Sequence, residues 1–216
     1  MPEVYTYSEA GGHAHNEDAF ATAAHPRAPD CLIVALADGQ GGRSGGGRAA
    51  AVACRAGVEA ASAAPPDGLW RPDVWIGVLR AADAAVAADA DAGFTTLAAF
   101  CVRNGVASGA SCGDSAVLAA AAGQAGVILT ARQHKDPPVG SGGARPVYFT
   151  ARLTPPWAVL ALSDGVWKYA GWDAALTLAT QRTGKDLIDA LRGRAALPNG
   201  RLQDDFTVVA VWDVDA

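Results

Sequence analysis

The sequence predicts an α+β fold built on antiparallel sheets, and three features of its pattern point there. Short apolar segments with strand character fall into two groups, before and after a pair of alanine-rich helical segments, and do not alternate with helices one by one. Asn104-Gly105, between Leu97–Val102 and Val106–Ser111, is a preferred two-residue hairpin turn, and hairpins join antiparallel strands. Two continuous apolar runs, Cys31 to Gly39 (CLIVALADG) and Trp157 to Gly165 (WAVLALSDG), read as buried strands stopped by a turn.

Taken in order, Val4–Tyr7 and Ala19–Ala23 are short strands that precede the buried strand Leu32–Ala37. The glycine-rich stretch GQGGRSGGGRAA then leads into a helix over Ala49–Ala64, which Pro65-Pro66-Asp67-Gly68 breaks. A second helix starts near Pro72-Asp73, with Asp73 as its cap, and runs to about Ala90. Its Trp75, Val78, Leu79, Ala82 and Val86 recur at helical spacing. Leu97–Val102, Val106–Ser111, Ala116–Ala120 and Val127–Thr130 form a meander, and His134–Arg145, rich in glycine and proline, is a loop. Strands Pro146–Leu153 and Trp157–Ser163 follow. Two short helices fit Asp173–Arg182 and Lys185–Arg194, the latter burying Leu187, Ile188 and Leu191, and the strand Phe206–Trp212 closes the chain. No repeat or linker divides residues 1–216, so they read as one domain.

Composition excludes several classes. Half of the 216 residues are hydrophobic, enough for a substantial core. A net charge of −5 and the lack of any Lys/Arg run argue against nucleic acid as a partner. Nothing approaches the roughly 18–20 continuous apolar residues that span a bilayer, and the start MPEVYTYSEAGG has neither the basic nor the apolar region of a signal peptide. The four scattered cysteines (Cys31, Cys54, Cys101, Cys112) make no C-x-x-C pair and read as buried free thiols of a cytoplasmic protein.

The informative residues are acids at strand ends. Asp38-Gly39 and Asp164-Gly165 each terminate an apolar run, Asn16-Glu17-Asp18-Ala19 opens a strand, and Asp204-Asp205 precedes another. Carboxylates gathered from such positions would repel one another and hold their protons, a penalty that divalent cations remove. Aspartate oxygens are hard ligands suited to Mg²⁺ or Mn²⁺. A pair of such ions can deprotonate a bridging water and align it for in-line attack on a phosphate. No H-E-x-x-H helix is present.

In this order NEDA (Asn16 to Ala19), ADGQGG (Ala37 to Gly42), TTL (Thr95 to Leu97), CGDS (Cys112 to Ser115), LSDGVW (Leu162 to Trp167) and DDFTVV (Asp204 to Val209) resemble the motifs of the metal-dependent protein phosphatase 2C family, over nearly the whole chain. The resemblance implies a four-layer α-β-β-α sandwich of two antiparallel sheets flanked by helix pairs, with a dinuclear Mn²⁺ or Mg²⁺ centre between the sheets at one edge. It implies that Asp38 bridges both ions, that the Gly39 carbonyl completes one shell, that Asp164 and Asp204 bind one ion, and that Asp18 supports the cluster through water. Asp114 matches the acid that, with Asp164, holds a third, weaker ion. The implied reaction is hydrolysis of phosphoserine or phosphothreonine in a protein partner by water activated at the metal centre, in a monomer with no membrane or nucleic-acid partner.

Two departures stand out. Where the family carries a phosphate-gripping arginine, four residues before the NEDA glutamate, this chain has His13, a pH-dependent donor whose grip weakens above about pH 6.5. His13 is therefore the candidate phosphate contact, and His13 or His15 the candidate for proton transfer, because Gln40, where eukaryotic members place a histidine, cannot titrate. The flap subdomain that members insert between CGDS and LSDG is reduced to a loop within 134–153, as in compact bacterial members.

Other readings fare worse. The glycine-rich stretch lacks the lysine of a P-loop, and Asp89 to Gly93 lacks most of a calcium loop's ligands. The six tryptophans read as core or sheet-packing residues rather than a stacking platform. The rival function is a catalytically weak phosphoprotein-binding module of the same fold. A small-molecule phosphohydrolase using the same metal pair comes third.

Overall fold

The computed structural model describes residues 2–12, 15–40, 45–121 and 124–213. Among the described residues, ten strands form two five-stranded sheets. One carries β1 (Glu3–Glu9), β10 (Phe206–Trp212), β9 (Trp157–Leu162), β6 (Ala116–Ala121) and β7 (Val127–Ile128) in that spatial order. The other carries β2 (Asp18–His25), β3 (Ala28–Asp38), β4 (Leu97–Arg103), β5 (Val106–Cys112) and β8 (Val147–Arg152). Every pairing is antiparallel. The helices α1 (Gly46–Ala63) and α2 (Pro72–Ala87) cover the second sheet. The helices α3 (Asp164–Ala170), α4 (Trp172–Gln181) and α5 (Gly184–Ala195) cover the first.

The strand period of two builds the layers. On β3, Ile33, Ala35 and Ala37 face α1 and α2, whereas Leu32, Val34 and Leu36 face the other sheet. On β9, Leu160 and Leu162 face the helices and Val159 and Ala161 face inward; on β10, Val208 and Ala210 face out and Val209 and Val211 face in. Runs that are apolar on both faces are what a strand between two layers requires. The result is the expected α-β-β-α sandwich, with α3 added beside the second helix pair.

Several expectations are corrected. Residues 97–130 do not make one meander. The chain leaves one sheet after β5 and enters the other at β6, so Gly113-Asp114-Ser115 is a crossover, which no local strand signal reveals. Asp73 is not the cap of α2. Arg71 holds that position without a side-chain cap, and Asp73 sits in the first turn, ion-paired to Arg71 at 2.7 Å. Asp164-Gly165 opens the helix α3 instead of closing a strand in a turn. The Asn104-Gly105 turn is as expected, both residues having positive φ (50° and 67°). All four cysteines are free and buried, and among the described residues no helix is long and apolar enough to cross a membrane.

Candidate active site

Strand register brings the motifs to one end of the sandwich. In one sheet Glu9 pairs with Phe206, and Leu162 with Val208 and Ala116, so the end of β1, the start of β10, the end of β9 and the start of β6 lie side by side. In the other, Asp18 pairs with Asp38 and Leu97 with Cys112. Every quoted motif except the undescribed part of the glycine-rich stretch therefore lies at this edge. His13 lies outside the described residues.

Asp18 and Asp38 are direct cross-strand partners, so their side chains share one face. Parity puts Asp38 in line with Leu32, Val34 and Leu36, on the inner face. Two carboxylates opposed in this way, half in the interior, are destabilising unless something neutralises them. Both Asp18 oxygens are shut off from solvent without a hydrogen bond. The nearby Ser163 and Thr207 hydroxyls moderate the cost without closing on it. Ser163 Oγ donates to the Asp205 carbonyl at 3.3 Å, and Thr207 Oγ1 is engaged with Ser8 Oγ at 2.7 Å.

In front of this pair opens a cavity of about 490 Å³, lined by Glu17, Asp38, Asp114, Asp136, Asp164, Asp204 and Asp205 together with Gly39, Gln40, Thr95, Thr96, Lys135 and Pro138. Burial, and then the charges of Asp18, Asp164, Asp114 and Asp204, hold the Asp38 carboxyl far above the ordinary carboxylate range. Burial raises Asp18 too, with Asp205 and Asp164 adding to it. Asp164 is raised by burial against the opposing pull of Lys168. The acids share a cavity without closing into a ready ligand shell: among the described residues no three His, Cys, Asp or Glu side chains are gathered tightly enough to hold an ion as they stand.

The frame behind these acids is rigid. Thr96 Oγ1 accepts from Asp38 N at 2.9 Å and meets Ser115 Oγ at 2.6 Å, while Thr95 Oγ1 donates to the Asp38 carbonyl at 2.8 Å. The TTL motif thus clamps the end of β3 to the crossover. Gly39 is forced by space: a Cβ there would lie 2.4 Å from Gly46 C and 2.7 Å from Glu17 O. Asn16 Oδ1 accepts from Asp18 N at 2.9 Å and sets the turn into β2. Asp204 and its neighbour divide their roles. The Asp205 carboxylate accepts from Gly11 N at 2.8 Å and Glu17 N at 2.6 Å, tying the β1–β2 connection to β10.

Sequence reasoning missed three residues. Lys168, one helical turn after Asp164, bonds its carboxylate, and Lys135 bonds Asp114 at 2.6 Å. Partial burial works against the Lys168 charge, but the bond to Asp164 and the charges of Asp164, Asp114 and Asp204 together outweigh it, and the bond to Asp114 raises Lys135. Recognising α3 as a helix would have exposed the first pair through its i,i+4 spacing. The third is Asp83, 4% exposed on α2, whose carboxylate accepts from Gly140 N at 2.7 Å, Gly142 N at 3.1 Å and Ala144 N at 3.2 Å. It pins the loop that carries Lys135, Asp136 and Pro138 to the cavity rim. An acid within the apolar stripe of a helix was the available signal.

Neither a family model nor a curated protein matches the sequence. Solved structures do match the fold. The serine/threonine phosphatase Stp1 from Staphylococcus aureus superposes with a TM-score of 0.81 at 18% identity, over 99% of this chain and 95% of that one. The serine/threonine phosphatase PstP/Ppp of Mycobacterium tuberculosis gives 0.76 at 21%, covering 98% of each chain. That of S. agalactiae gives 0.77 at 17%, over 98% of this chain and 99% of that one. At these identities the likeness is one of fold, and it extends over the whole of each domain.

Proposed function

We propose that the chain is a metal-dependent serine/threonine protein phosphatase that hydrolyses phosphoserine or phosphothreonine in a protein partner. The observation that carries this reading is the Asp18–Asp38 pair: two inward carboxylates, Asp38 lining an acid-lined cavity and Asp18 buried behind it with both oxygens orphaned. Proteins do not retain such a pair for stability, and it suits a hard divalent cation. The fold shared with bacterial serine/threonine phosphatases supports the same reading.

Two Mn²⁺ or Mg²⁺ ions would be held by Asp38, the Gly39 carbonyl, Asp164 and Asp204, with Asp18 supporting from behind. When bound, such ions supply activated water and neutralise phosphate charge. The chain's own residues do the rest. The Thr95–Thr96 clamp fixes Asp38, Asp205 fixes the NEDA turn, and the acid-rich walls keep the substrate phosphate out until the cavity is neutralised. His13 is assigned the phosphate contact and proton transfer on its place in the sequence. Asp114, with Asp164, would take a third, weaker ion only by displacing lysine ammoniums. The loop within 134–153 stands as a reduced flap on a single domain, and the protein is proposed to be a cytoplasmic monomer.

The test is p-nitrophenyl phosphate hydrolysis by chelator-stripped protein with Mn²⁺ or Mg²⁺ restored, beside Asp38→Ala. Turnover that needs metal and vanishes in the variant supports the enzyme. Phosphopeptide capture without turnover would replace it with the phosphoprotein-binding module. Comparable turnover of many small phosphates with no phosphopeptide preference would replace it with a small-molecule phosphohydrolase.

A further inference from the structure

A second groove, of about 320 Å³, adjoins the acid cavity and shares Asp114 as a common wall. Its surface is mainly apolar and includes Ile128, Ala131, Gln133, Trp167 and Trp172. The two indoles stack nearly parallel, with centroids 4.8 Å apart and planes 11° from each other. Trp167 is fixed in place. It packs on the core beneath α3, its Nε1 donates to the Asp114 carbonyl at 3.0 Å, and the Lys168 ammonium stands 5.9 Å from its ring centre. Trp172, only partly buried, packs into none of the three cores of described residues; its ring contact is with Trp167. Core packing does not account for a large aromatic side chain so placed, and the sequence expectation for the tryptophans fails here.

We infer that this groove is a specificity subsite that receives an apolar side chain flanking the phosphorylated residue of a protein substrate, with the Trp167–Trp172 stack as its platform. The inference rests on the phosphatase reading above. Continuity through Asp114 carries the choice of occupant. A peptide whose phosphorylated residue enters the acid cavity passes Asp114, and its neighbouring side chain then meets the indole faces. Chemistry narrows the occupant further. The groove's one charged side chain, Asp114, is already paired with Lys135, and its polar Thr130 and Gln133 bond Val117 N and the Ser115 carbonyl, which leaves mainly aromatic and aliphatic surface to be covered.

The experiment uses phosphopeptide pairs identical except for leucine or serine at the positions flanking the phosphoserine. Binding is followed by fluorescence polarisation and hydrolysis by phosphate release, with p-nitrophenyl phosphate as a substrate too small to reach the groove. Two variants act independently: Trp172→Ala removes half of the platform, and Ala131→Trp fills the groove without touching the stack. The expected result is that each variant weakens leucine-peptide binding and raises its KM by about tenfold, with kcat and the small substrate unchanged. Discrimination between the leucine and serine peptides collapses at the same time. Equal binding of the two peptides by wild type, or unaltered discrimination in both folded variants, overturns the inference. If nothing is hydrolysed, the enzyme reading fails alone, because selective binding lost in both variants still establishes the groove.

Discussion

Asp38 and Asp18 face each other across two strands, and the cost of that placement gives the first prediction. Burial and neighbouring charge raise both carboxyls, so between the ordinary carboxylate range, about 4, and their folded values the native state holds protons that the unfolded chain has released. Stability of the metal-free protein must therefore fall as pH rises through that window. Denaturant titration with chelator at pH 5 and pH 8 should show the wild type weaker at pH 8, and Asp38→Asn should flatten the slope. Glu9 acts with the opposite sign. Hydrogen bonding to Arg192 holds it at about 2, below its ordinary 4.5, so the stability it contributes is present above that range and disappears only as pH falls toward 2. At this scale the motif acids were legible in the sequence because each abuts an apolar run. Lys135, Lys168 and Asp83 were not, since their partners lie on other elements or on a helix taken for a turn.

Among the elements, the segment between β7 and β8 shows how a long connection without regular structure is held over a site. Its backbone bonds Thr95 through Val139 in both directions at 3.0 Å, and Asp83 receives three of its amides. Asp83→Ala would leave those donors unpaired in a part-buried setting, costing about 2–3 kcal/mol. It should also loosen the rim that carries Lys135, so KM for phosphopeptides should rise more than kcat falls. The start of α3 is equally constrained. A Cβ on Gly165 would stand 2.0 Å from the Asp205 carbonyl oxygen, so Gly165→Ala must push β10 away from the site. A loss of at least about 2 kcal/mol together with most of the activity is expected from thermal melts and turnover assays.

For the whole molecule, the proposed metal centre would couple metal binding at the acid-lined edge to stability. An ion that binds only the folded chain adds about 2.7 kcal/mol at 100 times its Kd, which for a domain of this size raises Tm by roughly 5–10 °C. Thermal melts with and without Mn²⁺ should show that rise in the wild type and little of it in Asp38→Asn. An unchanged wild-type Tm across a wide Mn²⁺ range would remove the metal centre from the proposal.

The sequence by itself determined the fold class, most strand and helix boundaries and the acids worth watching, because apolar periodicity, turn dipeptides and strand-end aspartates are local signals. Tertiary structure alone decided that Gly113-Asp114-Ser115 crosses between sheets, that Asp18 and Asp38 oppose each other, and that Asp205, which lines the cavity with Asp204, also braces the β1–β2 connection. It also decided that two tryptophans on separate helices stack beside the acids, Trp167 against a core and Trp172 outside all three. The reason is register and packing. Which strand ends adjoin, and which side chains a crossover brings together, depend on contacts between segments far apart in the chain, and no window of sequence contains them.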